Sequence, residues 1–141
     1  MVKIANLSKI YDKKVKALNN INLHIKPGEF VSIVGQSGSG KSTLIKLLIA
    51  EEKPDKGSII LGGWDITRVK NREIPTLRRQ IGVIFQDYKL LSKKSVFENI
   101  AFAMQACGFS KAEINKIVNQ MISLVGLKGM EERYPHQLSG G

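Results

Sequence analysis

Residues 35–42 read Gly-Gln-Ser-Gly-Ser-Gly-Lys-Ser and form the most informative motif of this chain. Two glycines bracket four residues and are followed by lysine and serine, which is the P-loop pattern. Glycine lets the backbone wrap closely around phosphate oxygens, and the N-terminus of a following helix adds its positive dipole end. The motif therefore predicts a cradle for a nucleotide, with Lys41 on the β- and γ-phosphates and the Ser42 hydroxyl on Mg²⁺. The alternative is a flexible Gly/Ser turn.

The segments that flank this loop argue against a simple turn. Residues 30–34 are β-branched and almost entirely apolar, as expected for a strand covered on both faces. From Ser42 onward leucine and isoleucine recur at helical spacing, and the helix is expected to end near residues 54–57, where proline and glycine occur. The predicted order of elements is strand, glycine loop, helix.

Other strands are predicted on both sides of this central unit. Residues 2–7 and 21–25 alternate apolar and polar side chains, which predicts a small antiparallel sheet. Residues 58–61 are interpreted as another short strand, and residues 81–85 as a second buried strand.

Beyond residue 91 the pattern changes from strand to helix. Ser95 and Glu98 have the spacing of a capping box, and Ser110 and Glu113 repeat it. Each pair precedes apolar residues at helical spacing, so a helical subdomain is predicted over residues 95–126.

Composition limits the classes of function that remain. The chain has 141 residues, 43% of them apolar and 24% charged, which is typical of one packed domain or part of one. Twenty-two basic and 12 acidic residues give a net charge of +10, which favours anionic partners. Because both halves of the chain share the excess of basic residues, a solvated surface is preferred over a nucleic-acid groove. The single cysteine, Cys107, excludes an intrachain disulfide and a multi-cysteine zinc site. Apolar runs are short and no secretory signal is visible, so we expect a cytosolic chain without a membrane span.

The last seven residues, 135–141, read Pro-His-Gln-Leu-Ser-Gly-Gly. Their Leu-Ser-Gly-Gly ending resembles the signature of the ATP-binding-cassette (ABC) family and follows the predicted helices, as in that family. Gln86, directly after the strand predicted at 81–85, resembles the family's Q-loop glutamine, and Tyr11 lies where the family places an aromatic residue on adenine. Together with the P-loop, these features identify the chain as a member of the family.

The resemblance implies an α/β fold, a P-loop NTPase of the ABC type. Its antiparallel β subdomain and P-loop core would occupy residues 1–91, its helical subdomain residues 92–137 and its signature residues 138–141. The partial ABC ATP-binding domain would cover all of residues 1–141 and lack the C-terminal part of the core.

The resemblance also implies roles for single residues, with ATP and Mg²⁺ as cofactors. An amide such as that of Gln86 binds Mg²⁺ or orients an attacking water, and a ring such as that of Tyr11 covers a base. Ordinary alternatives are a solvated loop residue and half-buried packing, respectively. Ser139 and the glycines after it would contact the γ-phosphate held by the partner subunit, in a head-to-tail dimer. The nucleotide-binding set is Tyr11, Gly35, Gln36, Ser37, Gly38, Ser39, Gly40, Lys41, Ser42, Thr43, Ser139, Gly140 and Gly141; the catalytic set is Lys41 and Gln86; and the metal ligands are Ser42 and Gln86.

Within the family, residues 77–91 and 95–102 are most similar to the bacterial cell-division branch, the FtsE type. Asp87 directly after Gln86 favours this branch over the lipoprotein-release and macrolide-export ATPases, which more often have serine there. The branch implies an integral-membrane partner of the FtsX type, docked on the helical subdomain and the loop after Gln86. The ATPase would then lie at the cytoplasmic face of the membrane.

One departure from the family pattern concerns catalysis. The sequence stops at Gly141, before the Walker B aspartate and glutamate and before the switch histidine, and neither His24 nor His136 matches that histidine. We therefore expect a fragment of a protein roughly one and a half times as long, which alone binds ATP weakly at most and hydrolyses little. A nucleotide-binding module without turnover is the second hypothesis. A DNA-associated ABC ATPase is the third and is disfavoured, because the region between Gln86 and the signature lacks the heptads of a coiled coil.

Overall fold

The chain begins with a long β-hairpin in the computed structural model, which describes residues 1–12 and 14–139. Strand β1 spans Val2–Tyr11 and strand β2 spans Val15–Ile25, and the two pair antiparallel. The hairpin confirms the antiparallel sheet predicted from alternation, and both strands are longer than the pattern indicated.

Two further strands complete an antiparallel sheet in the order β2-β1-β3-β4. Strand β3 spans Lys56–Leu61 and strand β4 spans Trp64–Asp65. On β1, Ile4 lies opposite Leu23 of β2 and Ile59 of β3. Ile4 and Ile59 are 3% and 0% exposed, so the centre of the sheet forms the core of this part of the molecule.

Helix α1 spans Lys41–Leu48 and begins directly after the glycine-rich loop. Leu44 and Leu47 are its buried residues, and they pack into the core formed by the sheet. Ile45 on the same helix is 43% exposed. The helix predicted from the apolar spacing is therefore present, and its buried side packs against the sheet.

Helix α1 ends at Leu48, and the end predicted near residues 54–57 is wrong. Ala50 has a left-handed φ of 52°, which interrupts the helical backbone. The Arg78 guanidinium donates to the carbonyl oxygens of Ile49 and Ala50 at 3.0 and 3.2 Å. A distant side chain therefore satisfies carbonyls that a longer helix would have used.

A set of short elements follows the sheet in the same unit. They are the 3₁₀ turns Ile66–Arg68 and Asn71–Glu73 and helix α2, Ile74–Arg78. The buried core consists of Ile4, Leu7, Leu18, Leu44, Leu47, Ile59, Ile66, Val69 and Leu77.

The two apolar segments predicted as buried strands do not form strands. Residues 30–34 and 81–85 have no regular secondary structure, and Phe30 and Ile84 are both 97% exposed. A parallel strand exists only when its backbone pairs with a neighbour brought in by a crossover. Among the described residues the only sheet is the four-stranded antiparallel one, and neither segment belongs to it.

The chain divides into two compact units: the first is Met1–Gly82, and the second begins at Val83 and is built from two helices. Helix α3 spans Val96–Ala106 and helix α4 spans Lys111–Leu124. Ser95 and Ser110 cap them, and both predicted capping boxes are present. The two helices predicted from these caps are confirmed, whereas the helical subdomain with its bounds at residues 92 and 137 remains a prediction.

The two helices pack through a core of small and branched side chains. The backbone N–H groups of Val96 and Phe97 donate to the carbonyls of Arg133 and Glu131. These bonds connect the loop after α4 to the start of α3. The 3₁₀ turn Pro135–Gln137 is the last element. None of the helices described here is both long enough and apolar enough to span a bilayer. The core residues are Val96, Ala101, Ile114, Val118 and Ile122.

Candidate nucleotide-binding site

The glycine-rich loop is locked in place at its last glycine. Gly40 has a φ of 92°, and a Cβ there would lie 2.3 Å from the carbonyl oxygen of Ala17 on β2. Any side chain at this position would clash with fixed backbone and strain its own. Gly38 also has a left-handed φ, 80°, but the space around it is open. Gly40 therefore fixes the distance between the loop and the sheet.

The Lys41 side chain folds back over the loop. Its ammonium donates to the carbonyl oxygens of Gly35 and Gln36, both at 2.7 Å, and to Ser39 Oγ at 3.3 Å. Carbonyl dipoles attract a cation less strongly than the full charge of a phosphate does. Lys41 is thus held beside the loop in a position from which an incoming phosphate can recruit it.

The first turn of α1 supplies further groups for an anion. The first backbone hydrogen bond of the helical pattern runs from the Leu44 N–H to the Gly40 carbonyl. The N–H groups of the three preceding residues therefore have no intrahelical acceptor. The turn contains no acidic residue that would repel an anion. Ser42 in this turn is exposed, and its hydroxyl is the type of ligand that Mg²⁺ takes beside a bound phosphate. These groups fit a Mg²⁺-nucleotide.

Tyr11 is brought to the same helix turn from the end of β1. Its hydroxyl donates to Glu52 Oε2 at 2.5 Å and lies 3.4 Å from Thr43 Oγ1. The hydrogen bond to Glu52 raises the pKa of Tyr11 and lowers that of Glu52. The structure therefore brings together Tyr11, the P-loop and the start of α1, as the resemblance implied.

Glu52 was missed by sequence reasoning. It follows α1 in a turn, and its carboxylate also pairs with Lys46 at 3.3 Å and lies 4.0 Å from Lys9. The hydrogen bond with Glu52 raises the pKa of Lys46. Nothing in the local pattern distinguishes this glutamate from Glu51 beside it, because its partner on β1 lies 41 residues away.

A cavity of about 480 Å³ adjoins the P-loop. Its lining combines apolar side chains of β2 with residues 31–35 and with Gly40, Lys41 and Leu44. Tyr11, Ser42 and Thr43 do not line it, so the cavity is not by itself the nucleotide pocket.

Gln86 and Ser139 belong to the second unit and are both exposed. Gln86 lies in a turn closed by the Tyr88 N–H on the Phe85 carbonyl, and the next residue, Asp87, pairs with Lys89 at 2.6 Å. The hydrogen bond from Lys89 lowers the pKa of Asp87. Gly140 and Gly141 lie outside the described residues. The roles assigned to Gln86 and the signature thus remain predictions.

Comparisons with known proteins agree with this geometry. Residues 18–141 match the family model described as ABC transporter. The chain is 50% identical over 141 residues to the cell division ATP-binding protein FtsE of Bacillus subtilis, covering all of this chain and 62% of that protein. It is 48% identical over 144 residues to the methionine import ATP-binding protein MetN of Geobacillus kaustophilus, covering all of this chain and 42% of that protein.

A solved structure shares the fold as well. A dimeric ATP-binding cassette in a post-hydrolysis state, bound to ADP and phosphate, superposes with a TM-score of 0.85 at 32% identity. The match covers 99% of this chain and 64% of that one. The chain therefore spans less than two thirds of the length of each of these three relatives. Because the family model matches nearly all of its residues, the chain belongs to the ABC transporter family and has the fold of its ATP-binding subunits.

Proposed function

We propose that this chain binds ATP at the P-loop and that the complete gene product hydrolyses it. The observation that carries the proposal is the convergence of three groups on one helix turn. Gly40 fixes the loop against β2, the Lys41 ammonium lies across the loop, and Tyr11 reaches Thr43 from β1. A loop of backbone N–H groups, a lysine ammonium beside it and an aromatic ring match the phosphates and the base of a nucleotide.

The geometry of the loop and of α1 supports the following roles within the first unit. Backbone groups of residues 35–43 bind the phosphates, and Lys41 neutralises charge on the transferred phosphoryl group. Ser42 would hold Mg²⁺, which would supply neutralisation of the phosphate charge when bound. Tyr11 stacks on the adenine.

The roles proposed within the second unit rest on family membership and sequence. Gln86 ligates Mg²⁺ or orients the attacking water, and Ser139 with Gly140 and Gly141 contacts the γ-phosphate of a partner subunit. Hydrolysis therefore takes place in a head-to-tail dimer. The solved relative bound to ADP and phosphate is dimeric, which supports a dimer as the hydrolysing form.

For the biological role, we propose a cell-division ATPase at the cytoplasmic face of the membrane, working with an integral-membrane partner of the FtsX type. Asp87 and the 50% identity to FtsE of Bacillus subtilis favour it. Methionine import is the second candidate, because MetN of Geobacillus kaustophilus is 48% identical over a similar length. A deletion strain distinguishes the two: filamentous or misdivided cells support the first role, and failure to grow on limiting methionine with normal division supports the second.

The biochemical proposal is tested by titrating ATP and Mg²⁺ into the complete gene product and its Lys41→Ala variant. Lys116→Ala is the matched control, because Lys116 is an exposed lysine on α4, outside the P-loop unit. We expect Lys41→Ala to lose ATP binding and hydrolysis and Lys116→Ala to retain both. Equal affinity in both variants would contradict the assignment.

A further inference from the structure

Tyr11 is the last residue of β1, a place where a side chain normally has several rotamers open to it. Here its hydroxyl is fixed by Glu52 Oε2 at 2.5 Å, with Thr43 Oγ1 3.4 Å away. Both partners belong to the α1 region and not to the strand that carries the ring. The orientation of Tyr11 is thus set by Thr43 in α1 and by Glu52 in the segment that follows this helix.

Glu52 is itself held on two sides. Its Oε1 pairs with Lys46 at 3.3 Å, which leaves Oε2 for the tyrosine hydroxyl. The backbone N–H groups of Glu51 and Glu52 both bond to the Lys46 carbonyl, at 2.8 and 3.4 Å. The Glu52 side chain is 22% exposed, so it is more sheltered than an ordinary surface carboxylate.

A third charge acts on the ring directly. Lys9 Nζ lies over the ring of Tyr11, 5.6 Å from its centroid, and is 3.8 Å from the Asp55 carboxylate. The lysine occupies one face of the ring. The opposite face is the one on which a flat base can stack.

We propose that Glu52 is a positioning residue for Tyr11: by accepting the hydrogen bond of the tyrosine hydroxyl, it holds the ring so that the face opposite Lys9 can stack on the purine. This inference rests on the proposed function, since it assumes that a nucleotide binds at the P-loop beside Tyr11. Glu52 does not touch the phosphates in this assignment. Its contribution is therefore confined to ligands that have a base.

That distinction supplies the test. The complete gene product is titrated with Mg²⁺-ATP and, separately, with Mg²⁺-tripolyphosphate, which has the phosphates without the base. We expect Glu52→Ala to weaken ATP binding roughly three- to ten-fold, the range of one lost hydrogen bond, and to leave tripolyphosphate binding unchanged. Glu51→Ala, which removes the neighbouring exposed carboxylate, is the matched control and is expected to change neither.

Two further variants separate positioning from a merely structural role. Glu52→Gln keeps an acceptor oxygen and most of the packing, and we expect it to recover part of the ATP affinity. Tyr11→Phe keeps the ring but removes the hydroxyl that donates to Glu52, so it should weaken ATP binding about as much as Glu52→Ala. In the Tyr11→Phe background, Glu52→Ala should then cause no further loss, because both changes break the same bond.

The outcomes separate this inference from the proposed function. Equal losses for ATP and tripolyphosphate in Glu52→Ala, additive losses in the double variant, or no loss at all would overturn the positioning role. If Lys41→Ala still weakens both ligands in those cases, the proposed function stands. If the unaltered protein binds neither ligand, both the proposed function and the positioning role are overturned.

Discussion

The β1–β2 hairpin and the two segments at 30–34 and 81–85 contain similar β-branched and apolar side chains, yet they reach different structures. Strand β1 pairs with β2, the next strand along the chain, and with β3 on its other edge. Phe30 and Ile84, in the other two segments, are 97% exposed and without strand structure. Apolar composition thus selects candidates for strands, but pairing decides which of them form.

The P-loop lies between these two kinds of region. Its upstream side is the unpaired segment 30–34, whereas its downstream side is anchored through Gly40 and α1 to the packed sheet. The site is therefore held from the helix side. Substitutions on the helix side of the loop should therefore cost more stability than substitutions within residues 30–34.

The largest effect is expected where α1 meets the sheet. Leu47 is 0% exposed, and Leu47→Ala should lower the free energy of unfolding of the first unit by about 2–5 kcal/mol, because it removes buried area and leaves a cavity. Urea denaturation followed by Trp64 fluorescence measures this change. A loss below about 1 kcal/mol would show that α1 is not anchored as described.

The next effect concerns the two left-handed glycines of the loop. Gly40→Ala should cost about 2–3 kcal/mol, because its Cβ meets the Ala17 carbonyl and its backbone is strained. Gly38→Ala, with similar φ but open space, should cost about 1 kcal/mol and serves as the control. The same denaturation experiment compares them, and equal costs would contradict the close approach to β2.

A smaller effect is expected at the start of α4 in the second unit. Ser110→Ala removes the N-cap and should cost about 1 kcal/mol. The Ser110 side chain and backbone lower the pKa of Glu113 in the folded state. The stability that Glu113 contributes is therefore complete above the pKa of the unfolded chain and is lost as pH falls through the lowered folded pKa.

The pH dependence gives this prediction its second measurement. Urea midpoints followed by circular dichroism should fall with acidification less steeply in Ser110→Ala than in the unaltered chain, since part of the Glu113 contribution is already gone. Identical slopes in the two proteins would contradict the capping box as the source of the shift.

The smallest effect is expected at the exposed apolar segment. In the 141-residue chain, Phe30→Ser should change the free energy of unfolding by less than about 0.5 kcal/mol, because Phe30 is 97% exposed. The free energy of unfolding should therefore change far less in Phe30→Ser than in Leu47→Ala. A cost comparable to that of Leu47→Ala would show that residues 30–34 are packed.

How much could be predicted from the sequence depended on the distance between interacting residues. The capping boxes at Ser95 and Ser110 are local patterns, and both were predicted correctly, as was the helix that begins directly after the glycine-rich loop. The early end of α1 was not, because Arg78 satisfies the carbonyls of Ile49 and Ala50 from another element.

The same distinction applies within the candidate site. Tyr11 was identified only through resemblance to the ABC family. Its hydrogen bond to Glu52 could not be predicted, because 41 residues separate the two in the sequence. The strands predicted at 30–34 and 81–85 failed for the same reason, since no local pattern specifies the partner of a parallel strand.

Amide hydrogen exchange of the complete gene product, with and without Mg²⁺-ATP, tests the central claim most directly, because it locates the bound ligand along the chain. We expect ATP to slow exchange at residues 35–44 and at the end of β1 around Tyr11, and to leave α4 unchanged unless a dimer forms. Lys41→Ala should abolish that protection. Unchanged exchange at residues 35–44 under saturating ATP would contradict the assignment of this loop as the nucleotide-binding site.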